Sequence, residues 1–251
     1  MRSKTLILRA AGTNCDVEAA HAFRLAGAEA ESVHINWLLE NPKLLNQFQI
    51  MAVPGGFSYG DDIAAGKILA NQLVHHLGEA MHRFVEDGKP IIGICNGFQV
   101  LVKTDLLPGA LGERSGQTCA LTNNDCGSFV DRWVKLGGRP SKCIWTKGIS
   151  GMELPIAHGE GKFVPGDEKV RKDLWERGQV ALVYDGENPN GSVDAIAGVC
   201  DATGLVFGLM PHPERHVDRI QHPAWTSRKS DTREGDGLRV FRNAVEHVSR
   251  S

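Results

Sequence analysis

The stretch Pro90-Ile91-Ile92-Gly93-Ile94-Cys95-Asn96-Gly97-Phe98-Gln99-Val100-Leu101 decides how this chain folds. An apolar run, Pro90–Ile94, reads as a strand, a cysteine follows between two glycines, and a helix-like pattern begins immediately after. Free cysteine is usually a small buried hydrophobe. Glycines that permit a sharp turn on both sides give this one a second reading. The order strand, G-x-C-x-G, helix is the context of a nucleophile elbow of the G-x-S-x-G kind, with sulfur replacing oxygen.

Working outward, apolar runs and helix-like segments alternate through the first hundred residues. Thr5–Arg9, Ala30–Ile35 and Gln49–Val53 read as strands, with a helix around Asp16–Leu25. A second helix is expected over Asp61–Glu86, where Leu69, Leu73, Leu77 and Met81 recur at i, i+4 along one face. Strands that are apolar nearly throughout and separated by helices predict an α/β protein: an open, mostly parallel sheet covered by helices on both faces. The second half changes character. Short strand candidates at Cys119–Leu121, Phe129–Leu136, Leu154–Ala157, Val180–Tyr184, Ala195–Val199 and Leu205–Leu209 are separated by glycine-rich turns, which predicts antiparallel strands added to the sheet. Gly235–Val248 closes the chain as a helix. Residues 137–150 and 222–236 read as loops, the latter polar, without apolar periodicity and expected to be mobile. No repeat or linker interrupts the chain, so residues 1–251 are expected to form a single domain.

Composition narrows the function. A hydrophobic content of 41% with 23% charged residues is that of an ordinary soluble globular protein. A net charge of −2, with no basic block, argues against a nucleic-acid partner. No apolar run approaches the roughly 18–20 residues needed to span a bilayer, so no membrane association is expected. The opening MRSKTLILRAAGTN reads as a first strand rather than a signal peptide. Six scattered cysteines without a CxxC pair point to a reducing, cytoplasmic setting.

Three turns carry chemistry. The tight turn at Cys95 pushes its side chain out at the carboxyl end of the sheet, where ligands of open α/β sheets bind. The helix that follows favours thiolate through its N-terminal partial charge, and the N–H of Asn96 is placed to stabilise an oxyanion. The second turn, in VPGGFSYGDD (53–62), ends another strand with consecutive glycines. Backbone N–H groups at Gly56 and Phe57 can supply a second oxyanion donor. A simple strand-ending turn explains the same residues. The third is GLMPHPERH (208–216), where Pro211 and Pro213 flank His212 and Glu214 stands two residues further on. Alternation places His212 and Glu214 on one side of an extended segment. The imidazole can then deprotonate a thiol while the carboxylate orients it. All three turns lie at the ends of expected strands. That coincidence carries more than any one motif.

GICNGFQ, VPGGFSYGDD and MPHPER together resemble the class I, triad-type glutamine amidotransferases. PGGFSYGDD, CNGFQVL, LTNNDCGSF and PIAHGEGKF are similar more narrowly to the glutaminase subunits of phosphoribosylformylglycinamidine synthase. The resemblance runs from LILRAAGTNCD to the terminal helix. It implies Cys95 as nucleophile, His212 as general base and acid, Glu214 as its orienting partner, and Gly56 and Asn96 as the oxyanion hole. It also implies that L-glutamine is held near Gln99, Asn124 and Phe129, partly through backbone, with Phe57 and Ser58 bordering the pocket. Ammonia would pass to an ATP-dependent synthetase subunit, with ATP and magnesium on that partner and no cofactor on this chain. A small third subunit is expected to help assembly. His158 in AHGEGKF is either a partner-sensing residue or a structural turn residue. PSKCIWTKGISG and HPAWTSRKSDTREGDG extend the chain beyond the simplest members without breaking a motif.

Two other readings use the same residues: a stand-alone cysteine amidase acting on γ-glutamyl compounds, and a non-catalytic α/β scaffold. No metal site is expected. Cys119, Cys126 and Cys143, separated by 7 and 17 residues, fit no compact zinc knuckle. His75 and His76, with His82 nearby, are neighbouring helix positions that do not face one another, so a shared metal is not expected there. Cys15 and Cys200 read as turn and strand-end residues, and Arg215 and His216 are open between pairing with Glu214 and meeting a partner.

Overall fold

A computed structural model describes residues 2–61, 64–109, 117–227 and 232–250. The parallel half begins as the apolar runs require. β1 (Lys4–Arg9) leads into α1 (Asp16–Leu25), then β2 (Glu29–His34). β3 (Ile50–Val53) leads into α3 (Lys67–Glu86), and β4 (Ile91–Ile94) into α4 (Asn96–Lys103). A short α2 (Ile35–Glu40) takes up Ile35, the residue that ends the expected second strand. The third helix starts at Lys67 rather than Asp61. Tyr59, Gly60, Asp61 and Gly66 all have φ between 54° and 71°, a left-handed backbone that cannot continue a right-handed helix.

β5 (Cys119–Thr122), β6 (Val130–Gly138), β7 (Gly151–His158), β8 (Lys162–Pro165), β9 (Val180–Tyr184), β10 (Ile196–Cys200) and β11 (Val206–Leu209) make up the second half. α5 (Glu168–Glu176) lies between β8 and β9, and α6 (Leu238–Val248) closes the chain. The sequence reading missed β8, α2 and α5. α5 buries only Leu174 among its nine residues, so it carries almost no apolar stripe to detect.

The main sheet has the order β2-β1-β3-β4-β11-β10-β9-β6-β7, and β5 pairs with β8 apart from it. The first five strands are parallel, and the rest are antiparallel. α1 packs with α6 and α3 with α4, the two-faced arrangement that right-handed crossovers produce. Phe23, Trp145 and Phe241 meet edge-on under α1 and α6, with Phe23 and Phe241 ring centres 4.9 Å apart. β6 pairs with β9 only through Leu136–Gly138, whereas its pairing with β7 runs from Val130 to Gly137. The β6–β7 hairpin therefore overhangs the sheet and reaches the turn after β11.

Of the two expected loops, residues 139–150 hold one 3-10 turn at Ile144–Thr146. In the other, residues 228–231 lie outside the described residues. Its remainder is anchored by the Asp218–Glu234 bridge and the Arg242–Glu234 ion pair.

Candidate active site

β3, β4 and β11 are adjacent and parallel, so their carboxyl ends open on one edge. The turn after β4 is strained: Cys95 adopts φ 52°, ψ −108°, a conformation costing about 1–3 kcal/mol for a residue with a side chain. It persists because its surroundings allow nothing else. A Cβ on Gly97 would sit 1.8 Å from the Val53 carbonyl oxygen, so the helix start can approach β3 only through glycine. The Cys95 N–H donates to Leu209 O at 2.8 Å, which pins the elbow to β11. Its Sγ lies 3.6 Å from Ala157 O on β7.

The turn after β3 faces this elbow. A Cβ on Gly55 would lie 2.9 Å from His212 Cε1, 3.2 Å from Cys15 Sγ and 3.4 Å from Cys95 Cβ. Three side chains thus converge on one glycine. The Thr13–Gly56 bridge is carried by Asn14 N–H to Gly55 O and Phe57 N–H to Gly12 O, which leaves the Gly56 N–H out of the ladder. Asn96 begins α4, where helix geometry provides no intrahelical acceptor for its N–H. Both expected oxyanion donors are free of those backbone ladders.

His212 and Glu214 meet, but through a 3-10 turn (Pro213–Arg215) rather than an extended segment. Pro213 at the first position presets that turn. His212 Nδ1 and Glu214 Oε1 are 2.6 Å apart, both residues almost wholly buried, and the His212 N–H donates to Pro155 O at 2.9 Å. Burial pulls the imidazole down. The Glu214 carboxylate and the Cys95 and Cys15 sulfurs outweigh it, holding His212 well above its ordinary 6.5. The pair can accept a proton and keep it.

Asn96, Gln99 and Ser58 form one buried network. Asn96 Oδ1 accepts from Ser58 N–H (3.3 Å), and its Nδ2 donates to Asp61 Oδ1 (3.2 Å) and Gln99 Oε1 (3.0 Å). Gln99 Nε2 donates to Glu160 O at 2.6 Å, tying α4 to the loop after β7. Asn124 is committed in the same way. Its Nδ2 donates to Ser128 O and His158 O, while its Oδ1 accepts from Gly161 N–H and meets His158 Nδ1 at 3.1 Å. Its side chain therefore positions the loops on either side, including the one carrying Phe129. Phe57 and Phe129 are each about half exposed (49% and 53%), whereas Ser58, Gln99, Asn124 and His158 are buried. Burial, reinforced by the charge of His212, pushes His158 down from 6.5 to about 4.

Sequence reasoning missed Asp61 and the carbonyls of Pro155 and Ala157, read Cys15 only as a turn residue, and left the partner of Arg215 open. Arg215 Nη2 donates to Cys15 Sγ at 3.1 Å and its guanidinium pairs with Glu18, while His216 Nδ1 meets Glu153 O at 2.7 Å. Cys15 had a signal: it caps α1 just after β1, the same strand, thiol, helix order as Cys95. Cys15, His212 and Glu214 each place a ligand atom within 4.8 Å of the others.

The profile of a glutamine amidotransferase family, described as CobB/CobQ-like, matches residues 2–248. The chain belongs to that family. It is 50% identical to phosphoribosylformylglycinamidine synthase subunit PurQ of Dehalococcoides mccartyi, over 97% of this chain and 96% of that one. With the subunit of the same name from Methanococcus maripaludis the identity is 40%, over 98% of each. A solved PurLQS structure from Thermotoga maritima superposes with a TM-score of 0.78 at 32% identity, covering 99% of this chain and 100% of that one. The expected α/β glutamine amidotransferase fold is borne out. Among the described residues no helix is long and apolar enough to cross a membrane.

Proposed function

We propose that this chain is the glutaminase subunit of a phosphoribosylformylglycinamidine synthase and acts in the cytoplasm. The observation that carries the reading is the strained Cys95 elbow converging with the buried His212–Glu214 pair on Gly55. Near-full-length kinship with PurQ subunits supports the pathway.

His212 takes the Cys95 proton, and the sulfur attacks the side-chain amide carbon of glutamine. Negative charge develops on the amide oxygen, which the N–H groups of Gly56 and Asn96 receive. His212 returns the proton to the departing nitrogen, the C–N bond breaks, and ammonia leaves behind a glutamyl thioester. Water, activated by the same imidazole, cleaves the C–S bond to give glutamate and restore the thiol. Glu214 holds the ring and stabilises its charged form throughout. Phe57 and Phe129 border the pocket, and the Gln99 and Asn124 networks shape the walls that hold the substrate's α-amino and α-carboxylate groups.

Ammonia passes to an ATP-dependent synthetase subunit that makes formylglycinamidine ribonucleotide. ATP and magnesium belong to that partner, no cofactor to this chain, and a small third subunit assists assembly. His158 ends β7 just before the loop that Gln99 and Asn124 anchor, and it transmits the partner's state through that loop to α4.

The test is glutamine hydrolysis by the chain alone and with its synthetase and nucleotides, for wild type and Cys95→Ala. Partner-dependent activation that the substitution abolishes is expected. Equal hydrolysis of unrelated amides with no response to the partner would overturn the subunit reading in favour of a stand-alone amidase.

A further inference from the structure

The edge of the sheet opposite the active site carries a basic cleft that glutamine turnover does not use. The loop 139–150, which joins β6 to β7, curves around about 710 Å³. A second cleft of about 340 Å³ lies between this loop and α6, and Ile144 and Lys147 line both. Their place follows from the topology. β7 brings Pro155 and Ala157 to His212 and Cys95, so Gly151 and the loop before it lie at the far end of that strand. Ile144 N–H donates to Gly204 O, in the turn that leads into β11, whereas His212 follows the other end of β11.

The loop's backbone is held while its charged side chains are not. Arg139 N–H donates to Ala181 O and Lys142 N–H to Gly178 O, each at 3.0 Å. Trp145 Nε1–H donates to Leu205 O at 2.8 Å, and Asn243 Nδ2 reaches both Trp145 O and Lys147 O from α6. The side chains of Arg139, Lys142 and Lys147 are exposed and have no hydrogen-bond or ion-pair partner among the described residues. Arg239 and Arg250 add two cations along the second cleft. Glu246, which pairs with both, is the one carboxylate among the described residues that line either cleft. Five permanent cations thus gather around one carboxylate, on a chain whose net charge is −2.

A concavity of about 300–1,000 Å³ is the size of a small-molecule site. Like charges held on a fixed frame repel one another, and a multivalent anion relieves that repulsion at several points at once. An arginine offers a planar fork to phosphate oxygens, and lysines serve as point charges beside it. The hydroxyls of Ser141 and Thr146, 3.5 Å apart, line the same cleft as further donors. Ile144 and Ile149 give it an apolar wall for an organic group. We propose that this cleft binds a small molecule containing a di- or triphosphate group. Binding is reversible and makes no covalent bond.

Inorganic pyrophosphate is the probe, titrated calorimetrically into the full chain at about 0.15 M salt, where scattered surface charges are largely screened. A single saturable site is expected, with inorganic phosphate at least about tenfold weaker. The triple variant Arg139→Gln, Lys142→Gln, Lys147→Gln must weaken pyrophosphate binding at least about tenfold. A control triple variant, Lys43→Gln, Lys169→Gln, Lys172→Gln, removes the same charge from other surfaces and should change binding less than about twofold. Equal losses in the two triple variants, or a titration that does not saturate, overturn the site. Should the cleft variant fail to fold, Lys147→Gln alone decides, because its side chain borders both clefts. A loss of at least about threefold is then expected, and no loss refutes the proposal. Absence of pyrophosphate binding, with the cleft variant instead losing association with the synthetase subunit, makes this face a protein interface and overturns the proposal as well. The titrations do not depend on the glutaminase reading, so either can fail without the other.

Discussion

The two halves of the sheet contribute to the site in different ways. The parallel half ends β1, β3, β4 and β11 in turns that carry Cys15, Gly55, Cys95 and His212, so it presents the side chains that react. The antiparallel half contributes mostly backbone: Pro155 O holds the His212 N–H, Ala157 O faces Cys95 Sγ, and Glu160 O receives Gln99. Parallel strands point their carboxyl ends the same way, which brings residues far apart in sequence to one edge. An overhanging hairpin cannot do this, but it can line that edge with carbonyls. Chemistry comes from one half and alignment from the other.

The largest expected effect tests the reacting half. Cys95→Ala should lower glutamine turnover by at least about 10³-fold with little change in thermal midpoint, since it removes the nucleophile and relieves no packing. Retained turnover would move the chemistry elsewhere.

Gly97→Ala comes next. Its Cβ would meet the Val53 carbonyl at 1.8 Å, so α4 must shift away from β3. A loss of at least about 3 kcal/mol in urea denaturation, or failure to fold, is expected.

The aligning half is probed by pH. His158 is held near 4 against an ordinary 6.5, chiefly by burial. The unfolded chain therefore takes up this proton near pH 6.5 and the folded chain only near 4. Stability is full above that window and falls as pH drops through it, by about 3 kcal/mol in all. Urea titrations at pH 7 and pH 4.5 should show a smaller acid loss in His158→Gln than in wild type. Equal losses would mean that His158 protonates as freely in the folded state.

Cys15→Ser should show the smallest change, a two- to fivefold loss of turnover. It disturbs the Arg215 contact without removing a reacting atom. A loss as deep as that of Cys95→Ala would erase the distinction between the two thiols.

The legible parts had strong local signals. β1, β3, β4, β9 and β11 are buried along most or all of their length and read as unbroken apolar runs. α3 was visible through Leu69, Leu73, Leu77 and Met81, but its start was not, because left-handed turns at Tyr59, Gly60 and Asp61 leave no trace in periodicity. α5 escaped because one buried leucine makes no stripe. At the site, Cys95, His212 and Glu214 were legible as residue types at strand ends. The commitment of Gln99 and Asn124 to internal hydrogen bonds was not.

Composition, periodicity and the three turn motifs alone were enough to specify an α/β sheet with a thiol, an imidazole and a carboxylate at strand ends. Only the tertiary structure decided that β11, more than a hundred residues after β4, would lie beside it. It also decided that a second thiol, Cys15, would share the imidazole. Residues adjacent along the chain leave a pattern in sequence. Residues brought together by strand order leave none, because hydrogen-bonded registry between distant strands is set by the whole sheet.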